Sequence, residues 1–148
     1  MRVTLIIQAR SNSTRLKNKM FLMLGKYKIL EWVILRLKKI RFVDNLVVAT
    51  SNKIADKKII KIAKKNNLKI FVGDEKNVLE RFYLCSKKFP ADLIVRVCAD
   101  NPFIDNKEIE KLILYFKRNY KKNDYLQNFL VSKNSLYASG FGAEIFKI

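Results

Sequence analysis

Val3–Gln8, with the sequence Val-Thr-Leu-Ile-Ile-Gln, is the stretch that decides the fold of this 148-residue chain. The run is apolar almost throughout and rich in β-branched side chains, which is typical of a strand buried on both faces of a sheet. Polar, turn-prone residues follow from 10 to 19, so the strand ends at Gln8. A strand that is buried on both faces needs helices on both sides of its sheet, which indicates an α/β protein.

The rest of the chain repeats this alternation of short apolar runs and longer amphipathic stretches. We predict further strands at residues 46–49, 68–72, 93–97, 124–127 and 143–146, and helices at residues 27–40, 56–66, 76–88 and 106–119. Apolar strands that alternate with amphipathic helices predict a mostly parallel sheet in a three-layer α/β sandwich.

Each predicted helix carries an apolar stripe at helical spacing, which we expect to face the sheet. The two cysteines, Cys85 and Cys98, match no zinc or redox spacing, so we expect both to be small buried residues. The inward residues are predicted to be Leu30, Val33, Ile34 and Leu37, then Ile59, Ile62 and Ala63, then Val78, Leu79, Phe82 and Cys85, and finally Ile109, Leu112, Ile113 and Phe116.

The composition excludes several classes of protein. The chain has no histidine, which removes Ser-His and Cys-His nucleophilic mechanisms. Hydrophobic residues make up 49% of it, enough for a folded core. No apolar run approaches the roughly 20 residues that cross a bilayer. We therefore expect one cytoplasmic domain over residues 1–148, with no membrane partner.

The net charge of +18 allows two interpretations. A basic chain is typical of nucleic-acid-binding modules. Abundant Lys, Ile and Asn are equally typical of an AT-rich genome, and we favour this origin because the lysines are spread over the whole chain. In both cases a basic surface attracts anionic ligands such as nucleotides.

Ligands of open parallel sheets bind beyond the carboxyl ends of the strands. This rule selects the loops at residues 9–19, 50–53, 73–77 and 98–105. The first loop combines two arginines, two lysines and three hydroxyls without a glycine, and it matches neither a Walker A sequence nor a dinucleotide fingerprint. Such a loop can wrap a polyphosphate with cations, hydroxyls and backbone N–H groups, or it can be an ordinary solvated basic loop.

The fourth loop contains the carboxylate best placed to hold a metal. Asp100 falls just past the predicted strand, from where it can hold Mg²⁺ against phosphates or act only as a turn former ahead of Pro102. Asp105 is expected to cap the next helix, since Glu108 follows three residues later. We therefore assign the metal to Asp100.

The second and third loops offer weaker candidates. Thr50 and Ser51 end the second predicted strand, where hydroxyls can hydrogen-bond a base or ribose. Arg81 lies near the start of the third helix, from where it can reach a ligand or pair with an acid on the surface. Neither loop identifies a ligand by itself.

Taken together, the loops resemble a known family. Residues 7–20, Ile-Gln-Ala-Arg-Ser-Asn-Ser-Thr-Arg-Leu-Lys-Asn-Lys-Met, resemble the signature of the cytidylyltransferases. That family includes the spore-coat polysaccharide biosynthesis protein F type and the CMP-Kdo and CMP-sialic acid synthetases. Residues 47–51, 72–82, 95–105 and 140–146 resemble later segments of the family in the same order.

The resemblance implies a nucleotide-diphospho-sugar transferase fold, which is Rossmann-like. It also implies transfer of CMP from CTP to a sugar, an acidic one for cell-surface polysaccharide, with Mg²⁺ as cofactor and pyrophosphate as the second product. The residues implied as catalytic are Arg10, Lys19 and Asp100, of which Arg10 and Lys19 would hold the triphosphate and Asp100 the metal. The remaining nucleotide contacts implied are the backbone of Gln8, Ala9 and Arg10 along the base, Ser13 and Arg15 in the phosphate cradle, and Thr50, Ser51 and Arg81 around the nucleotide.

The sequence departs from the family pattern in several ways, which include Val72 for a basic residue, Ala99 for glycine and Gly142 for aspartate. Asn12, Lys17 and Asn18 stand where the family usually has a small residue and Pro-Gly; asparagine tolerates left-handed backbone, so we expect the turn to survive. The sequence also lacks the usual C-terminal portion, which in the family supplies a second metal-binding aspartate and much of the dimer contact. We therefore expect CTP binding to persist more readily than turnover, and a homodimer or a complementing C-terminal fragment is the candidate protein partner.

Two alternatives to an enzyme stay open from the sequence. One is a catalytically inactive nucleotide-binding or interaction domain of the same fold. The other is a basic nucleic-acid-binding module, suggested only by the charge.

Overall fold

The computed structural model describes residues 1–11, 16, 18–127 and 142–148, which form an α/β sandwich. The strands are β1 (Val3–Gln8), β2 (Met23–Leu24), β3 (Tyr27–Lys28), β4 (Asn45–Ser51), β5 (Lys69–Gly73), β6 (Leu93–Cys98), β7 (Tyr125–Gln127) and β8 (Glu144–Lys147), and the helices are α1 (Ile29–Leu37), α2 (Lys57–Lys65), α3 (Val78–Lys88) and α4 (Asn106–Arg118).

The main sheet has six strands in the order β5-β4-β1-β6-β8-β7. β1 pairs in parallel with β4 on one side and with β6 on the other, and β4 pairs in parallel with β5. β8 is antiparallel to β6, and β7 is antiparallel to β8. The mostly parallel sheet is confirmed, and its strand order reverses direction between β1 and β6, where ligands of such sheets bind.

The side chains of β1 are buried on both faces of the sheet. Leu5 and Ile7 pack in one core with residues of α1, α2 and α4, whereas Ile6 packs in a second core with Phe82 and Cys85 of α3. All three β1 residues are 0% exposed. This arrangement confirms the three layers that the apolar sequence of β1 predicted.

The predicted inward faces are confirmed for α1, α2 and α4, but one residue of α3 was predicted wrongly. Leu79 is 82% exposed, because it projects from the first turn of α3 into an open groove beside Ile94 and Phe146. The prediction for the cysteines is half right. Cys85 is buried, but Cys98 is exposed at the end of β6, on the face that this groove leaves open.

The first helix begins later than its apolar pattern predicted. Tyr27–Lys28 pairs with Met23–Leu24 in a small hairpin, and Gly25 makes the turn with a left-handed φ of 62°. The backbone N–H of Lys28 donates to Oε2 of Glu31 at 3.0 Å, which closes the first turn of α1. The helical spacing of apolar residues could not reveal this hairpin, because the spacing within one segment does not show which residues pair as strands.

The second and third helices also begin later than predicted. Residues Ile54–Asp56 form a 3₁₀ turn ahead of α2. The Oδ1 atom of Asn77 accepts from the N–H of Glu80 at 3.0 Å and so caps α3 at Val78. Within the described part of the chain, no helix combines the length and the apolar character that crossing a membrane requires.

Leucine-to-alanine substitutions test the buried position of Leu30 against the exposed position of Leu79, which the sequence pattern did not distinguish. Leu30→Ala is expected to lower the free energy of unfolding by about 2–5 kcal/mol, because Leu30 is fully buried and the change leaves a cavity. Leu79→Ala is expected to change it by less than about 0.5 kcal/mol. Urea denaturation followed by circular dichroism measures both, and equal losses would contradict the exposed position of Leu79.

Candidate functional site

The loops that follow β1 and β6 meet at the carboxyl edge of the sheet. The Nζ atom of Lys19 lies 3.3 Å from Oδ2 of Asp100, and both side chains are partly exposed. This contact brings together a cation of the first loop and the carboxylate of the fourth loop, which is the arrangement expected from the sequence. An exposed ion pair of this kind contributes about 0–1 kcal/mol, so a ligand can open it easily.

The backbone between β1 and the first loop is fixed on both sides. The N–H of Ala9 donates to the carbonyl of Ala49 at 3.0 Å, and the N–H of Ala99 donates to the carbonyl of Gln8 at 3.0 Å. Ala9 is fully buried, whereas Arg10 is exposed at the start of the loop. The segment that was expected to lie along the base is therefore held rigidly, with Arg10 directed away from the core.

The turn before Lys19 takes the left-handed conformation expected for asparagine. Asn18 has φ 58° and ψ 19°, and its carbonyl accepts from the N–H of Phe21 at 2.8 Å. Asn18 stands where the family usually has glycine, so the turn is retained without it. Ser13 and Arg15, the other predicted cradle residues, lie outside the described residues together with Asn12 and Lys17.

A buried carboxylate that the sequence did not identify joins the first and second loops. Oδ1 of Asp56 accepts from the N–H and the hydroxyl of Ser11 at 2.7 and 2.5 Å. Its Oδ2 accepts from the N–H and the hydroxyl of Ser51 at 3.3 and 2.5 Å. The sequence prediction treated Asp56 as the first residue of a helix, but the side chain makes no capping hydrogen bond to α2. Hydroxyls just past two strand ends, with an acid nearby, are the only signal that could have indicated this contact.

The hydrogen bonds to Asp56 stabilise its charged form. Burial opposes that form, but the four hydrogen bonds from Ser11 and Ser51 outweigh it, so the pKa of Asp56 lies below its ordinary value. Ser51 is itself fully buried and gives its hydroxyl to Asp56, and its predicted contact with a nucleotide stays a prediction. The hydroxyl of Thr50 is also buried and has no hydrogen-bond partner among the described residues.

The third loop wraps around Arg81, which is fully buried. Its NH1 group donates to the carbonyl of Asp74 at 2.5 Å and more weakly to that of Glu75 at 3.3 Å. Nε and NH2 have no partner within the described part of the chain. A Cβ atom on Gly73 would come within 3.0 Å of Cγ of Arg81, so glycine gives the arginine room to pass the loop. Arg81 therefore does not lie on the surface, where the sequence allowed a pairing with an acid.

The charge of Arg10 acts on the buried guanidinium of Arg81. Burial lowers the pKa of Arg81, the nearby charge of Arg10 lowers it further, and Asp56, Asp74 and Glu75 act in the opposite direction. Like charges repel, so an anion bound near both would relieve the repulsion.

Across the sheet, the side chain of Gln8 belongs to a chain of polar contacts that the sequence also missed. Its Oε1 atom accepts from Nε of Arg96 at 2.8 Å, and NH1 of Arg96 lies 2.6 Å from Oε2 of Glu144. These contacts connect β1, β6 and β8 beside the candidate site. Sequence pattern alone could not indicate these contacts, because the partner in β8 is distant in the chain.

Asp105 caps α4 as predicted. Its Oδ1 atom accepts from the N–H groups of Lys107 and Glu108 at 2.8 and 3.3 Å. The side chain of Glu108 pairs with Lys111 at 2.7 Å. Among the described residues no three possible ligands of the His, Cys, Asp or Glu type come together.

Comparison with known proteins identifies relatives of this architecture. The family model described as cytidylyltransferase matches residues 4–139. The uncharacterized protein MJ1063 of Methanocaldococcus jannaschii is 40% identical over 146 residues, covering 99% of this chain and 57% of that protein. The spore coat polysaccharide biosynthesis protein SpsF of Bacillus subtilis is 35% identical over 115 residues, covering 75% of this chain and 48% of that protein.

A solved structure of a cytidylyltransferase also resembles this chain. The cytidylyltransferase from Leptospira borgpetersenii superposes with a TM-score of 0.92 at 35% identity, over 99% of this chain and 60% of that one. The expected nucleotide-diphospho-sugar transferase fold is confirmed. The chain spans about half the length of the relatives that it matches.

The charged state of Asp56 predicts how the free energy of unfolding changes in acid. The folded-state pKa of Asp56 lies below the unfolded value of about 3.9, so its contribution is fully present above that pH and is lost as the pH falls through the folded-state value. Asp56→Asn is therefore expected to be less stable than the wild type at pH 6, and the difference is expected to shrink below about pH 4. Urea denaturation across this pH range measures it, and a constant difference would contradict the charged state of Asp56.

Proposed function

Since this chain belongs to the cytidylyltransferase family, we propose that it transfers CMP from CTP to a sugar and releases pyrophosphate. The observation that carries the proposal is the 3.3 Å contact between Lys19 and Asp100 at the switch point of the sheet. A cation beside a carboxylate at this position suits a triphosphate that arrives with its metal.

The pair of Lys19 and Asp100 provides one group for each part of a metal-bound triphosphate. Asp100 would bind Mg²⁺, a hard cation that prefers carboxylate oxygens and usually takes only one or two of them besides phosphates and water. Lys19 would exchange Asp100 for a phosphate oxygen. Each charge then finds a stronger partner than it has in the exposed pair.

Further cations extend the proposed phosphate site. Arg10 is exposed at the start of the first loop, and its charge acts on the buried Arg81. We assign Arg10 to the triphosphate and Arg81 to the nucleotide pocket with Thr50. The assignments of Ser13 and Arg15 to the cradle rest on the family resemblance.

The residues at this edge of the sheet suit the proposed reaction. A hydroxyl of the sugar attacks the α-phosphorus in line, the bond to the pyrophosphate oxygen breaks so that pyrophosphate leaves with the bonding electrons, and the proton of the hydroxyl passes to solvent water. Mg²⁺ would neutralise charge on the phosphates, while Lys19 and Arg10 hold them in position. Positioning and charge neutralisation need no histidine.

The sugar acceptor is proposed to be an acidic sugar of a cell-surface polysaccharide. The excess of positive charge in the chain favours an anionic acceptor as well as the nucleotide. The matched relative from Bacillus subtilis is named for spore coat polysaccharide biosynthesis. We further propose a cytoplasmic location, where CTP is available, and a homodimer or a complementing fragment as the protein partner.

Substitution of Asp100 tests the metal assignment. Asp100→Asn is expected to weaken CTP binding about tenfold or more in Mg²⁺, because the metal contact is lost, and to change binding without the metal little, because the exposed pair with Lys19 contributes only about 0–1 kcal/mol. Asp105→Asn is the matched control, since this carboxylate of the same loop caps α4. Isothermal titration calorimetry with and without Mg²⁺ measures both, and an Asp100→Asn variant that retains the metal dependence would disprove the assignment.

Turnover distinguishes an enzyme from an inactive nucleotide-binding domain. Pyrophosphate release from CTP is expected only when an acidic sugar is supplied with Mg²⁺. CTP binding without release for any acidic sugar would favour the inactive domain. Failure to bind CTP, with tight and salt-sensitive DNA binding, would favour a nucleic-acid-binding module instead.

A further inference from the structure

The buried carboxylate of Asp56 ties together two loops of the candidate site. One oxygen takes both donors of Ser11 and the other takes both donors of Ser51, and Asp56 is only 2% exposed. Ser11 belongs to the first loop and Ser51 ends β4. A carboxylate with four donors in these positions fixes the first loop to the sheet at a point directly after Arg10.

Ser11 passes this constraint on to Lys19. The N–H of Asn18 donates to the carbonyl of Ser11 at 3.4 Å, so the beginning and the end of the first loop are held together at Ser11. Lys19 follows Asn18 directly and contacts Asp100. The position of the cation beside Asp100 therefore depends on the position of Ser11, which Asp56 sets.

The position of Asp56 in the chain argues against an ordinary structural role. It directly precedes α2, where an aspartate normally caps the helix and contributes about 1 kcal/mol. Here the side chain makes no capping bond and turns to the two serines instead. The helix α2 therefore lacks a side-chain cap, and Asp56 instead stabilises the position of Ser11 in the candidate site.

We propose that Asp56 is a positioning residue for nucleotide transfer, which holds Ser11, Asn18 and Lys19 in place before CTP binds so that Lys19 meets the triphosphate. The inference rests on the proposed function. A loop that is already ordered loses less conformational entropy when the ligand binds, and binding is correspondingly tighter. Asp56 itself is buried and touches no ligand.

The test compares Asp56→Asn with the wild type for two ligands, CTP and CMP, each with Mg²⁺. Asparagine keeps the shape but presents an NH₂ group to one of the serines, whose hydroxyl can accept from it but whose backbone N–H then has no acceptor, so one backbone hydrogen bond is lost. The Kd for CTP is expected to rise about tenfold, and that for CMP to change by less than about twofold, because CMP lacks the phosphates that Lys19 would hold. Damage to the fold as a whole would weaken both ligands equally and would overturn the proposal.

Asp44→Asn is the matched control. Oδ2 of Asp44 accepts from the N–H of Val3 at 2.7 Å, which is also a carboxylate bond to the backbone, but at the opposite edge of the sheet. Both affinities are expected to stay within about twofold of the wild type. CTP binding that falls equally in the two variants, or that stays unchanged in Asp56→Asn, would overturn the proposal.

A second variant tests the same role of Asp56 with a smaller change to the protein. If Asp56→Asn does not fold, Ser11→Ala removes only the hydroxyl bond to Oδ1, and it is expected to raise the Kd for CTP about threefold without affecting CMP. An unchanged CTP affinity in that variant would count against the proposal.

Hydrogen exchange of the ligand-free proteins separates this inference from the proposed function. The amides of Ser11 and Asn18 are expected to exchange faster in Asp56→Asn than in the wild type, and to be unaffected in Asp44→Asn. A wild type that does not bind CTP would overturn the proposed function, whereas unchanged exchange at these amides would overturn the role of Asp56 in ordering the loop.

Discussion

The parallel pairing of β1 with both of its neighbours is the constraint on which the rest of the structure depends. Because β4 and β6 run in the same direction as β1, all three strands end at one edge of the sheet. The loops after β1 and β6 then lie on the two sides of the switch point, and Lys19 and Asp100 meet there although they are 81 positions apart in the chain. Were either neighbour antiparallel, its following loop would lie at the other end of the sheet.

Two aspartates near this edge show how burial decides what a carboxylate can do. Asp100 is partly exposed and shares a weak ion pair, so its charge remains open to a stronger partner. Asp56 is buried and receives four hydrogen bonds, so its charge is already satisfied within the protein. The exposed carboxylate suits the binding of a ligand, and the buried one suits the fixing of the loop that binds it. A working site needs both, because a mobile cation holds a phosphate poorly.

The third loop contributes a different kind of constraint. Arg81 is buried with one nitrogen bonded to loop carbonyls and two without a partner among the described residues. Leaving donors of a charged group unsatisfied is unfavourable, and an ordered water or a polar group of a ligand is the usual partner in such a position. Gly73 makes the close approach possible, since a side chain there would collide with Phe71 and Arg81.

The sequence by itself determined the layers of the sandwich, the meeting of the first and fourth loops, and the cap that Asp105 provides. Each of these follows from local pattern together with the rule that parallel strands end at one edge. Only the tertiary structure decided the environment of Asp56, because its partners Ser11 and Ser51 come together through the register of β1 with β4. It also decided the exposure of Leu79, since helical spacing gives the direction of a side chain but not the extent of the surface that it meets. Contacts between distant segments depend on how helices and strands pack together, and the spacing of apolar residues within one segment carries no information about that packing.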